Sequence, residues 1–172
     1  MRPTLTCTIL ALLIAPLPAA ELSDVIKAPG DILVMTTHAV GAQIYQCEFD
    51  TAERLIWQFR EPIAALLASG KTVGRHYVGP SWELIDGSVV TGKVVASAPA
   101  ASANDIPLLR LDVTSRRGQG QLNIITTIKR INTRGGVLTG ACNAHHALLS
   151  VPFTADYAFY QTRGAVDGTA GE

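Results

Sequence analysis

Between Val73 and Gly92 the chain gathers an imidazole (His76), a phenol (Tyr77), an indole (Trp82) and two carboxylates (Glu83 and Asp86). A histidine beside a carboxylate titrates close to neutrality and can pass a proton either way. His76 with Glu83 or Asp86 is therefore a candidate acid–base pair. Ser81 offers a hydroxyl for a triad, but Gly79-Pro80-Ser81-Trp82 lacks the strand-to-helix elbow of a G-x-S-x-G nucleophile. Glu83 and Asp86 as glycosidase carboxylates would need a cleft geometry that a sequence does not display. The plainer reading makes Asp86 a turn residue and Trp82 core, with His76 and Tyr77 hydrogen-bonded to neighbouring strands. Taken as a binding wall, His76, Tyr77, Trp82 and Glu83 form the candidate ligand site, and no residue is assigned a catalytic role.

Other chemistry is thinner. His145 and His146 tempt as metal ligands, with His38 and His76 elsewhere, but adjacent histidines on a strand point to opposite faces, and neither H-E-x-x-H nor paired C-x-x-C occurs. No metal and no cofactor is expected. Arg130 and Arg134, with Asn132 around Gly135-Gly136, could hold an anion in a backbone nest or form a solvated hairpin end. No G-x-G-x-x-G follows a strand and no G-x-x-x-x-G-K-[ST] occurs, so dinucleotide redox chemistry and NTP hydrolysis lose their usual footing. A basic stripe interleaved with aromatics, the mark of single-stranded nucleic-acid binding, is missing. Lys+Arg and Asp+Glu balance at 14 each, so net charge suggests neither nucleic acid nor an anionic membrane as partner.

The elements around these residues read as strands. Asp86-Gly87 sits between alternating apolar runs and signals a hairpin turn, and Gly79-Pro80 breaks the strand upstream. Ile32 to Thr36 and Gln43 to Phe49 read as two strands. Asp50 to Glu53 could cap a helix or close a hairpin before Leu55–Phe59, and Pro62 favours the hairpin. Ser69–Gly74 and Asp86–Gly92 repeat a pattern of turn, valine-bearing strand and glycine, as a meander would. Ala96 to Asp105 reads as an exposed loop. Ile106–Thr114 and Gln121–Ile131 read as strands and Asn132–Gly136 as a turn. Val151 to Tyr160 is the cleanest strand, with Val151, Phe153, Ala155, Tyr157 and Phe159 on one face. Short strands without a long 3.6-residue period predict an all-β, single-domain antiparallel barrel or sandwich of meandering hairpins.

The chain is 172 residues long with 48% hydrophobic residues, enough for a real core. Residues 1–20 read as a secretory signal: Arg2, an apolar run from Ile9 to Leu17 too short to span a bilayer, then Ala19-Ala20. Residues 21–163 form the expected β domain, and 164–172 a flexible tail. The mature chain has no transmembrane segment by this reading and is exported, to the periplasm or outside the cell. It keeps two cysteines, Cys47 and Cys142, which lie 95 positions apart. An exported chain with two thiols suggests one disulfide; two buried thiols, or a cysteine nucleophile with a histidine, are the alternatives.

Gln43–Cys47 (QIYQC), Gly74–Gly92 (GRHYVGPSWELIDGSVVTG), Ile106–Leu109 (IPLL), Ile128–Gly136 (IKRINTRGG), the Cys142 region and Val151–Tyr160 (VPFTADYAFY) follow one another in this order. Together they resemble an exported bacterial and fungal family known as domain of unknown function 3455. The resemblance covers most of the mature chain. It implies export, one β domain and a pairing of Cys47 with Cys142, and it supplies no activity. Leu108 and Phe153 depart from the expected Trp and Tyr, as changes in packing.

Three functions fit these residues. The first is a non-catalytic module binding a small apolar or aromatic ligand. The second is a structural or surface-associated envelope protein without a small-molecule site. The third is a hydrolase or isomerase using His76 with Glu83 or Asp86. The reading leans away from an enzyme and leaves oligomeric state open. A closed barrel with a cavity lined by Trp82, Tyr157 and Phe159 would favour the first, and His76 within reach of a carboxylate in an open cleft the third.

Overall fold

The structure, a computed structural model, describes Ile26 and residues 30–163; the signal and tail segments lie outside these. Eight strands run β1 Asp31–Phe49, β2 Leu55–Ala68, β3 Lys71–Tyr77, β4 Ser81–Leu84, β5 Val89–Ala98, β6 Leu108–Arg117, β7 Thr127–Gly135 and β8 Leu148–Thr162. Each pairs antiparallel with the next and β1 pairs with β8, so the sheet closes into a barrel. Closure satisfies every edge, which a sandwich of short strands leaves open.

Several local expectations give way to tertiary demands. The two strands expected at Ile32–Thr36 and Gln43–Phe49 are one strand of 19 residues. Gly41 does not break it, because β2 approaches there so closely that a Cβ would overlap Ile63 O and the Ala64 backbone. Asp50 does not cap a helix. Its carboxylate accepts the N–H groups of Ala52 (2.8 Å) and Arg54 (2.9 Å), which closes the β1–β2 hairpin. Gln121–Ile131 is not a single strand: Gln121–Ile124 forms a 3-10 helix, and β7 starts at Thr127. Asn132–Gly136 is not a turn: Asn132 to Gly135 end β7, where the register with β8 shifts between Ile131 and Arg134 and Asn132 takes φ 52°, and Gly136 bridges to Asp105. Ala96–Ala98 still belong to β5, so the Ala/Ser-rich loop starts later than composition implied.

The two ends of the barrel differ, and this positions the site. At the end holding the β2–β3 and β4–β5 turns, the 3-10 helix folds in as a plug, with Leu122 and Ile125 fully buried. Side chains of this size contribute roughly 1.5–3 kcal/mol each when buried. Asp86 latches the plug. Its Oδ2 accepts Gln121 N–H (2.8 Å), its Oδ1 accepts Ser88 N–H (2.9 Å) and Ser88 Oγ–H (2.6 Å), and Ser88 Oγ accepts Leu122 N–H (3.3 Å). The Ser88 hydroxyl, ahead of the backbone donors, holds the Asp86 carboxyl below its usual range. Gly87 completes this turn at φ 84°, a conformation that suits glycine. Asp86-Gly87 thus joins β4 to β5 as the sequence predicts.

At the other end the segment after β7 lies along the start of β2. Ile56 bridges to Ala141, Trp57 N–H donates to Gly140 O (3.1 Å) and Cys142 N–H to Leu55 O (3.1 Å). A disulfide joins Cys142 to Cys47 of β1, with Cα atoms 5.9 Å apart.

A polar-rimmed cavity at the open end

Strand alternation decides which side chains of the Val73–Gly92 stretch can meet. In the β3–β4 ladder His76 lies opposite Trp82, and Arg75 opposite Glu83. His76 and Trp82 point into the barrel and are buried. Tyr77 and Glu83 point outward, where Tyr77 Oη donates to Glu83 Oε2 (3.0 Å) and Arg75 Nη2 donates to the same oxygen (2.9 Å). Arg75 first, then Tyr77, keeps the Glu83 carboxyl below its ordinary range. Desolvation first, then Glu83, pushes the Tyr77 phenol up. The four residues grouped by sequence thus divide between two faces of one wall.

The inward pair borders a cavity of about 490 Å³ at the open end. His76 stacks on Trp82 with ring centroids 4.6 Å apart, and Tyr157 of β8 meets the Trp82 ring edge-on at 5.3 Å. Phe159 packs behind Trp82 at 6.4 Å rather than lining the space. Apolar groups complete the wall, among them Tyr45 of β1, Leu109 and Leu111 of β6, and Ile106 just before β6. Phe59, Arg60 and Val78 are exposed on its rim.

No acid–base pair forms here. His76 Nδ1 lies 2.9 Å from Ser81 O; a carbonyl only accepts, so Nδ1 carries the proton and Nε2 the lone pair. Burial is the main reason the imidazole pKa falls from 6.5 to about 4, with the Arg130 charge adding to the fall. The residue is neutral near pH 7. Neither Glu83 nor Asp86 borders the cavity, and Ser81 Oγ bonds Thr91 Oγ1 (3.0 Å) rather than His76. The elements of the enzyme reading are therefore not brought together.

The wall also has polar features from outside the Val73–Gly92 stretch. Gln43, Arg130 and Tyr157 come from β1, β7 and β8, far apart in the chain. Arg130 Nε donates to Pro107 O (2.9 Å). Burial lowers its pKa, an effect opposed by Tyr157 and Tyr45. Tyr157 is pushed up to about 12 by burial, partly offset by Arg130. The two groups couple electrostatically, although Tyr157 Oη makes no hydrogen bond of usual geometry. Arg134 is exposed and Asn132 Nδ2 donates to Asp156 (2.7 Å), so the anion nest suggested by their spacing does not assemble.

Outside the barrel, His145 and His146 sit in a turn before β8, not on a strand, so they do not point to opposite faces. Their rings stack at 3.6 Å and both meet Glu48: His145 Nε2 lies 2.9 Å from Oε2 and His146 Nδ1 3.0 Å from Oε1. Contacts with His146, then His145, lower the Glu48 pKa. With one ligand atom from each residue, all within 4.8 Å, this is where the described residues could hold a metal ion. When each imidazole donates to a carboxylate oxygen, the trio is equally satisfied by hydrogen bonds. No described helix is long and apolar enough to cross a membrane.

Compared with known proteins, residues 28–161 match the model of the family described as "Protein of unknown function (DUF3455)". No curated protein matches the chain, and no solved structure does.

Proposed function

Since this chain belongs to the DUF3455 family, whose description assigns no activity, we propose from the geometry of the barrel that it is a non-catalytic module that binds one small, largely apolar ligand. The observation that carries this reading is the cavity of about 490 Å³ at one end of a closed eight-stranded barrel. Eight strands is the size at which a barrel interior is either filled by side chains or able to hold one small ligand. Here the plugged end is filled and the other is not. The volume falls in the range of ordinary small-molecule sites, and so does a wall of apolar and aromatic groups with a few polar ones. His76 and Trp82 are the members of the sequence-derived site that take part in it. The disulfide fits an oxidising compartment, in keeping with an export signal at residues 1–20, a mature domain at 21–163 and a tail at 164–172.

The test uses N-phenyl-1-naphthylamine, a neutral probe that fluoresces on leaving water. Saturable binding with one probe per chain is expected. Leu109→Trp, which adds bulk from a half-buried wall position, should weaken it at least tenfold while leaving the circular dichroism spectrum unchanged. Equal binding by a folded Leu109→Trp variant would place the probe elsewhere and count against the cavity.

A further inference from the structure

The cavity wall is electrically one-sided. Arg130 and Arg60 line it, and no Asp or Glu does. Arg60 lies at the exposed rim beside Glu61, 3.2 Å away. Arg130 stands further in, half-buried on β7. Among the described residues no carboxylate pairs with it; its neighbours are the Pro107 carbonyl and the phenols of Tyr157 and Tyr45. Taking a cation out of water is costly unless an opposite charge or several hydrogen bonds repay it. Arg130 has one carbonyl on Nε and the Tyr157 hydroxyl oxygen close by, while a guanidinium carries five N–H donors in a fork that fits a planar oxyanion.

Of the other polar groups in the wall, the His76 Nε2 lone pair is an acceptor, but three more lean the same way as Arg130. Trp82 Nε1 and Gln43 Nε2 are buried on lining residues without a hydrogen-bond partner, and the Tyr157 hydroxyl proton has no acceptor. All three are donors. The wall therefore offers an unpaired positive charge and a surplus of hydrogens to donate, within a mainly apolar enclosure. We propose that the ligand is an organic anion, an apolar or aromatic body bearing a carboxylate, with the carboxylate seated against Arg130. This rests on the cavity being a binding site at all, as proposed above. Binding then supplies the counter-charge that the fold omits, and Tyr157 or Gln43 can donate to the second oxygen after a small side-chain adjustment.

Three probes that share one ring system separate the possibilities: 2-naphthoate, 2-naphthylmethanol and 2-naphthylmethylamine, titrated by calorimetry against the disulfide-bonded protein. The proposal expects 2-naphthoate to bind at least tenfold tighter than the alcohol, with the amine weakest. In Arg130→Gln that preference should disappear, the affinity for 2-naphthoate falling to that for the alcohol. Equal affinities for acid and alcohol, or preference for the amine, would overturn the anion assignment and leave the cavity reading intact. An undiminished preference for naphthoate in a folded Arg130→Gln variant would overturn the role of Arg130. Should none of the three bind, and N-phenyl-1-naphthylamine fail as well, the cavity reading falls and this inference with it. The comparison in the unaltered protein decides the anion question even if Arg130→Gln does not fold.

Discussion

Replacing Cys47 with serine is expected to lower stability by about 2–5 kcal/mol, and the melting temperature by on the order of 10 °C. Two features of the fold make the loss large. The bond closes a loop of 95 positions, so without it the unfolded chain regains much conformational freedom. It also fastens the segment after β7 to β1, where that segment otherwise holds β2 by a few backbone hydrogen bonds at Leu55 and Trp57. Thermal unfolding of the variant against the oxidised parent measures the effect, with alkylation in the absence of reductant confirming that the parent has no free thiol at Cys47 or Cys142. Equal melting temperatures, or two alkylated thiols in the parent, would contradict the structure.

The second large effect is acid destabilisation through His76. Its folded pKa of about 4 lies below the value of 6.5 expected when exposed. Between those values the unfolded state binds a proton that the folded state refuses, so unfolding gains from every step down in pH. The stabilisation is fully present above about pH 6.5 and is lost as pH falls toward about 4. The gap corresponds to roughly 3 kcal/mol for a buried group. Protonation would also place a second cation near Arg130. Denaturant unfolding at a series of pH values should show the decline in the parent and a nearly flat profile over that range in His76→Gln. The carboxylates with lowered pKa, Glu48, Asp50, Glu83 and Asp86, lose their contributions as pH falls below their ordinary values of 4.5 and 3.8, so the decline between pH 6.5 and 4.5 belongs to His76. A parent profile that is flat between pH 6.5 and 4.5 would show His76 to be hydrated or to carry its proton in the fold.

How much of this was legible in the sequence varies by residue. Period-two alternation in Val151–Tyr160 announced β8 and its buried face, because side chains on a strand alternate by geometry alone. Asp86-Gly87 announced its hairpin, because few dipeptides suit that backbone. What failed was long-range. The break expected between Thr36 and Gln43 and the strand expected through Gln121–Ile131 were local readings. The first was overruled by the close approach of β2 and the second by the Asp86 latch, 35 positions away. The wall of the candidate site was half legible for the same reason. Crowding in sequence suggested that His76, Tyr77, Trp82 and Glu83 act together, yet a strand sends neighbours to opposite faces. Arg130 and Gln43 join His76 only through closure of the barrel, which leaves no mark on spacing. Arg130 did stand out in sequence, but in the company of Arg134 and Asn132, which the β7 bulge turns elsewhere.

The central claim is that the open end of the barrel exists to hold a small molecule. Native mass spectrometry of the protein isolated from its own compartment tests it most directly, under conditions first shown to keep N-phenyl-1-naphthylamine bound. We expect the mass of the disulfide-bonded chain plus one small organic molecule, the addition disappearing in a folded Trp82→Ala variant. A bare chain in the parent under those same conditions, or an addition that persists unchanged in folded Trp82→Ala and His76→Ala variants, would contradict the claim.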